Sequence, residues 1–258
     1  MRILPKVSAY CATYGRVHLL EEAVYSFLIQ DYQGPKELII LNDFPKQQIY
    51  FDHPEVKVYN LKEKINILGK KFNETVKYCT GEIIFPWEDD DVYLPHKLRT
   101  TVNKLLTSNK KIFHAQQAFY ELSKGNIIKA VNYFGHDLTY HVNMAMYKTV
   151  FDNVSGYYVA DGVDLDITSM DRFFQSQNYQ SERLNDNEIF YIYRLNSTNS
   201  YHGTWLGHEP EGQSKECEKY INSIMHSIPT GDYYLNPHWD FDYDKICKKL
   251  FENNSTTN

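Results

Sequence analysis

Four consecutive carboxylates, Glu88-Asp89-Asp90-Asp91, end the apolar run 83–87, and Val92-Tyr93-Leu94-Pro95 returns at once to apolar residues. Neighbouring carboxylates repel and raise one another's pKa unless a cation sits among them. A divalent metal is a natural cation for such a cluster. Hard oxygen ligands suit Mg2+ or Mn2+, commonly held by one or two carboxylates with water and substrate phosphate completing the shell. Acidic runs are more often solvated loops. Here the run sits between apolar stretches rather than in a polar tail, which favours a site. Two further apolar runs end in groups able to bind: residues 7–13 lead to Tyr14-Gly15-Arg16, and 37–41 lead to Asn42-Asp43. An Asp43 carboxylate can accept from a base N–H, and the Tyr14 ring can cover a flat ligand. Asp43 is equally at home as a turn-initiating residue before Phe44-Pro45.

The elements that must position these side chains follow from periodicity. Residues 7–13 read as a strand and 17–30 as a helix with Leu19, Leu20, Ala23, Val24, Phe27 and Leu28 on one buried face. Residues 37–41 form a second buried strand, 56–60 a shorter alternating strand nearer an edge, and 67–78 a turn and helix feeding the acidic strand 83–87. Pro95 takes the first turn of a helix over 96–106. Strand, helix, strand, strand, helix, strand with right-handed crossovers is a Rossmann-like half over 1–108. Ligands of open α/β sheets bind beyond the carboxyl ends of the strands, where these charges stand. The second half, 109–250, begins with strands at 111–115 and 118–122 and a Gly125-Asn126 turn into 127–131. An apolar strand at 141–147, a turn at Ser155-Gly156-Tyr157, an acid-rich loop at 160–166 and a helix at 167–175 follow. Then come a strand at 189–194, a polar run at 195–205, a helix at 217–228 packing back on the domain, and a polar tail, 251–258, expected to be disordered. Both halves belong to a single compact α/β domain with a mixed sheet flanked by helices.

The motif Glu88-Asp89-Asp90-Asp91, preceded by Thr80-Gly81-Glu82-Ile83-Ile84 and followed by Tyr93-Leu94-Pro95, resembles the acidic DxD-type motif of the family 2 glycosyltransferases with the GT-A fold. The resemblance covers residues 7–175. It implies that Asp90 is the metal ligand, with Glu88 or Asp89 near the ribose or the metal's waters. The family's strand ending in Thr-Tyr-Asn-Arg and second strand ending in Asp-Asp imply Thr13, Tyr14, Arg16 and Asp43 around a uridine. Gly15, Asn42 and the leading Glu88 depart from that pattern. The resemblance also points to Lys71, with Lys70 second, beside the diphosphate, and to an aspartate at a helix start as catalytic base. That aspartate is Asp171, where Met170 replaces the family's Glu, and Asp161, Asp164 and Asp166 are the alternatives. His202 corresponds to a histidine in a loop closing over the donor and could fill a metal position, while Arg194 could neutralise the departing diphosphate. The implied activity is an inverting glycosyl transfer, dependent on Mn2+ or Mg2+, from a nucleotide diphosphate sugar, a UDP-sugar, to a hydroxyl acceptor such as a glycan.

The acids alone also fit a metal-dependent nucleotidyltransferase or phosphoesterase, and a non-catalytic nucleotide- or glycan-binding module would use the same fold. A two-metal phosphoesterase draws His and Asp ligands from several strands, whereas this chain concentrates acid at one tip. A dead module would more easily have lost either that tip or every downstream carboxylate. A net charge of −6 over 258 residues, with lysines in isolated pairs, argues against a nucleic-acid partner. The four cysteines, Cys11, Cys79, Cys217 and Cys247, show no CxxC spacing, which predicts reduced thiols and no zinc site. With no apolar signal region and no run long enough to span a bilayer, a cytoplasmic protein without an integral membrane segment is expected.

Overall fold

The computed structural model describes residues 3–116, 119–123, 126–130, 141–153, 155–157, 180–194 and 228–255. A seven-stranded mixed sheet runs through both halves of the chain. It contains β1 (Val7–Thr13), β2 (Lys36–Asn42), β4 (Val56–Asn60), β5 (Ile83–Pro86), β7 (Ile112–Gln116), β10 (Met144–Tyr147) and β11 (Gln180–Arg183), in the order β11-β7-β10-β5-β1-β2-β4. Strands β5, β1, β2 and β4 are parallel, and β10 alone runs antiparallel to both of its neighbours. A second sheet, β6-β12-β8-β9, joins β6 (Val92–Tyr93), β12 (Tyr191–Arg194), β8 (Phe119–Ser123) and β9 (Asn126–Ala130). The third pairs β3 (Gln47–Tyr50) with β13 (Gly231–Tyr234).

Strand β1 is apolar and buried on both faces, as a central parallel strand must be. Its alternate residues feed two cores. Val7, Ala9 and Cys11 pack with Leu20, Val24 and Phe27 of α1 (Val17–Leu28) and Leu98 and Val102 of α3 (Lys97–Thr107). Tyr10 and Ala12 face Phe72 and Val76 of α2 (Leu68–Val76) and Phe151 of α4 (Lys148–Asn153). Asn73 of α2 ties the halves together, donating to the Tyr157 carbonyl (3.0 Å) and accepting the Tyr157 N–H (2.7 Å).

Several elements differ from the expectations. The helix expected from Pro95 begins at Lys97 with His96 as its N-cap. Residues 92–94 are held extended by β12: β6 pairs with Tyr191 and Ile192, and the Leu94 N–H donates to the Phe190 carbonyl (2.8 Å). The strand expected over 141–147 opens as a single 3-10 turn, His141–Asn143, whose Val142 carbonyl accepts from Lys97 Nζ (2.7 Å). The tail expected to be disordered over 251–258 is helical through Ser255, in α5 (Tyr243–Ser255). This helix starts on Asp242, whose carboxylate accepts the Lys245 N–H (3.0 Å), and buries Tyr243 and Cys247. The helix expected over 217–228 lies outside the described residues, apart from Ile228.

Helix α1 is covered on a second side that the pattern of its apolar stripe did not announce. Glu21 and Glu22, 6% and 4% exposed, are buried under residues 233–243. Glu21 accepts the Asn236 N–H (2.8 Å) and the Tyr233 hydroxyl (3.1 Å). Glu22 accepts the Asp240 N–H (3.0 Å) and the Tyr243 hydroxyl (2.8 Å). Buried carboxylates are tolerated when such donors replace the lost water. The carboxyl-terminal segment is thereby strapped onto the helix that follows the first strand tip.

Candidate active site

The carboxyl ends of β1, β2 and β5 meet at one edge of the main sheet. Gly15 turns the chain out of β1 with φ +77°, a conformation that glycine adopts freely, and Ile228 fills the space where a Cβ would stand. That turn delivers Arg16 to the amino end of α1. Asn42 at the tip of β2 shapes the next turn: its side chain accepts the Phe44 N–H (3.1 Å) and donates to the Gln47 carbonyl (2.9 Å). Two of the three departures from the family's pattern, Gly15 and Asn42, therefore sit at positions where local backbone geometry sets the residue type.

Asp43 is 1% exposed. One carboxylate oxygen lies 2.6 Å from Lys71 Nζ and the other accepts the Ile65 N–H (2.9 Å). Lys71 also donates to the Thr13 carbonyl (2.7 Å), so its ammonium ties the first two strand tips together. Burial lowers the Lys71 pKa, and Asp43 and Asp89 counter that shift. The Tyr14 ring stands edge-on to Phe44, with Lys64 Nζ 4.8 Å from its centroid. Lys70 is exposed on α2.

The acidic turn is pinned from several sides. Trp87 donates its indole N–H to the Ala23 carbonyl (3.0 Å) and its backbone N–H to the Tyr10 carbonyl (2.9 Å). The Glu88 N–H donates to the Tyr93 hydroxyl (2.8 Å). Arg16 meets two of the acids: Nε (3.2 Å) and Nη2 donate to Asp89, and Nη1 donates to Asp90 (2.5 Å). A planar guanidinium matches this two-carboxylate arrangement better than an ammonium would. Burial pushes the Asp89 carboxyl above the usual range, Arg16 pulls it back and Asp90 raises it further. Asp91 turns the other way and accepts the Tyr191 hydroxyl (2.7 Å). Glu88, Asp89 and Asp90 each offer an oxygen within 4.8 Å of the others. Three hard donors at that spacing fit Mn2+ or Mg2+. Thr13, Tyr14, Arg16, Asp43, Lys71, Glu88, Asp89 and Asp90 are thus gathered at one edge, whereas Asp161, Asp164, Asp166, Asp171 and His202 lie outside the described residues.

Sequence reasoning missed the support beneath the turn. Lys97, 1% exposed, lies 3.8 Å from the Tyr93 ring centroid and 4.7 Å from that of Trp87. Burial lowers its pKa strongly, partly offset by Asp91 and Glu88. Tyr93 and Tyr191 stack, with centroids 5.8 Å apart. The signal that the sequence offers is an amphipathic lysine at a helix start, two residues beyond Pro95.

A family model described as glycosyl transferase family 2 matches residues 8–196. The chain belongs to this family. It is accordingly a glycosyltransferase. Solved structures similar to it include S. aureus TarS 1–349 in complex with UDP-GlcNAc, at 14% identity and a TM-score of 0.58, covering 98% of this chain and 73% of that one. The same TarS fragment in complex with UDP gives 14% identity and 0.56, covering 86% and 72%. The mannosyltransferase PcManGT from Pyrobaculum calidifontis, in complex with GDP-Man and Mn2+, gives 12% and 0.53, covering 88% and 66%. At these identities the likeness is one of fold, and it agrees with a GT-A glycosyltransferase. The match covers 43% of the longer S. aureus TarS chain. No curated protein matches the sequence. Among the described residues, no helix is long and apolar enough to cross a membrane.

Proposed function

We propose that this glycosyltransferase moves a sugar from a UDP-sugar to a hydroxyl acceptor such as a glycan, with inversion and with dependence on Mn2+ or Mg2+. The observation that carries the reading is the convergence of the β1, β2 and β5 tips, which sets Tyr14, Asp43 and Lys71 beside Arg16 and the Glu88-Asp89-Asp90 group. The complexes of TarS with UDP and UDP-GlcNAc, and of PcManGT with GDP-Man and Mn2+, support a nucleotide-sugar donor.

Asp90, with Glu88 and Asp89, would hold the ion, and His202 is a further proposed ligand. The chemistry supplied by the bound ion is charge compensation on the diphosphate leaving group. Tyr14 covers the uracil face, and Asp43, fixed by Lys71 and the Ile65 N–H, accepts from a base N–H. Lys71 acts by holding the Thr13 and Asp43 tips, since its ammonium is already committed to both. Arg16 directs positive charge to the diphosphate side, a role shared with Arg194. Asp171 takes the acceptor proton, with Asp161, Asp164 and Asp166 as alternatives. Residues 1–108 are the donor half and 109–250 the acceptor half. A cytoplasmic location belongs to the same reading, supported by Cys11, Cys79 and Cys247 as free, buried thiols.

The test is a screen of UDP-, GDP- and ADP-sugars for hydrolysis and transfer with Mn2+ and with chelator, alongside competition by the free nucleoside diphosphates. UDP-sugar turnover that is lost with chelator is expected, with UDP the strongest competitor. GDP binding equal to or tighter than UDP overturns the uridine assignment, and full turnover in chelator overturns the metal.

A further inference from the structure

Resting on the metal-dependent reading above, we infer that Arg16 is an internal counter-ion that occupies the acidic site until the diphosphate arrives, so that metal and nucleotide bind cooperatively through this one side chain.

The inference comes from how unequally Arg16 is shared. Asp89, with a side chain 0% exposed, takes two of its donors, Nε and Nη2. Asp90, with a side chain 7% exposed, takes Nη1. The double contact to the sealed carboxylate anchors the guanidinium. The contact to the carboxylate nearer solvent is the one that can open, since Asp90 can turn about its own side-chain torsions and leave the rigid planar guanidinium paired with Asp89. An ion entering the group meets Asp90 and half-buried Glu88 before it meets Asp89.

Charge makes the opening conditional. With Arg16 in place, Asp89 and Asp90 share a positive charge already, and a divalent ion alone must displace or crowd a guanidinium whose side chain is 11% exposed. A guanidinium that gives up a carboxylate contact in a largely dry site is stabilised by another anion on the same N–H groups. The diphosphate of a nucleotide sugar is such an anion, with oxygens suited to the same fork. With the diphosphate on Nη1, Asp90 would be available to hold the ion, whose charge would offset that of the phosphate. Each ligand thereby raises the affinity for the other by the same factor. A free enzyme that binds metal weakly avoids holding an ion without its donor.

The experiment compares the wild type with Arg16→Gln and Arg16→Lys, with Mn2+ alone measured by the loss of its free electron-paramagnetic signal and UDP alone measured by calorimetry in chelator. Thermal melts check folding. Arg16→Gln is expected to bind Mn2+ alone about tenfold or more tightly than the wild type, because Asp90 has lost its competitor, and to bind metal-free UDP more weakly. Arg16→Lys, which keeps the charge but cannot bridge both acids, should fall between for Mn2+. A folded Arg16→Gln protein that binds Mn2+ no more tightly than the wild type overturns the inference. If Arg16→Gln does not fold, Arg16→Lys decides, and wild-type Mn2+ affinity in that variant overturns it. Nucleotide-sugar turnover is scored separately. Loss of the Arg16 effect with metal-dependent turnover intact removes the coupling and leaves the proposed reaction standing. Absence of Mn2+ binding in all three proteins removes both.

Discussion

At the scale of single residues, the acids near the strand tip and those expected in the second half have separable duties. Asp90→Asn takes a charged oxygen from the Glu88-Asp89-Asp90 group and one partner from Arg16. Its expected outcome is a sharp loss of Mn2+-dependent nucleotide affinity with a near-normal melt, and unchanged Mn2+ dependence in calorimetry would sink the ligand assignment. Asp171→Asn should instead keep donor affinity and lose ~10²–10⁴-fold in transfer, the usual contribution of a positioned general base. Normal transfer by Asp171→Asn, with loss in Asp161→Asn, Asp164→Asn or Asp166→Asn, would move the base into the preceding loop. The candidate chemistry was legible because it is written as residue types at the ends of apolar runs. The partners were not. That Lys71 spends its ammonium on Asp43 and the Thr13 carbonyl, or that Arg16 reaches Asp89 and Asp90 across more than 70 positions of chain, depends on which strand lies beside which. Periodicity carries no such information.

At the scale of elements, β1, β2 and β5 were legible because each is a buried, mostly apolar run, α1 and α2 because their buried residues recur on one face, and β4 because it alternates. Strands β3, β6, β11 and β13, two to four residues each, were not, because pairing partners rather than a local pattern make them strands. Residues of β13 are mostly exposed and lie in register with β3 more than 180 positions away. A close approach of backbones just before β5 explains why a glycine stands in the motif there. A Cβ at Gly81 would stand 2.6 Å from the Ser8 N and 2.7 Å from the Val7 carbonyl carbon, both backbone atoms of the central strand. The Gly81 N–H also donates to Ser8 Oγ (2.7 Å). Gly81→Ala should therefore cost about 1–3 kcal/mol of stability through overpacking that backbone cannot relieve cheaply. The shift of the urea midpoint measures it. A midpoint within error of wild type would show that β1 and β5 part more easily than their close contact implies.

At the scale of the whole molecule, one buried carboxylate joins segments that are far apart in the chain. Glu37 of β2, 3% exposed, accepts from Ser8 of β1 (2.7 Å), from the Thr80 N–H and hydroxyl before β5 (both 2.7 Å) and from Lys6 (2.9 Å), and lies 3.2 Å from Lys57 of β4. Burial alone would raise its pKa, but the donors from Ser8, Thr80 and Lys6 outweigh that and hold it at about 2, against an ordinary 4.5. A carboxyl held lower in the folded chain than in the unfolded one stabilises the fold above the unfolded pKa. That stability is lost as pH falls from about 4.5 towards 2, where the folded group also takes up its proton. The difference corresponds to roughly 3 kcal/mol. Asp89, whose carboxyl is lifted by burial, works with the opposite sign, so acid sensitivity of the wild type alone would mix the two. Comparison with Glu37→Gln removes the mixture, since every other group titrates in both proteins. Urea unfolding at pH 7, 5, 4 and 3 should show the wild type's advantage over Glu37→Gln constant down to about pH 5 and shrinking below it. A gap that keeps the same size at pH 3 as at pH 7 would mean that the ionised form of Glu37 is not what ties β1, β2 and the turn before β5 together, and that packing of the central strands carries the join by itself.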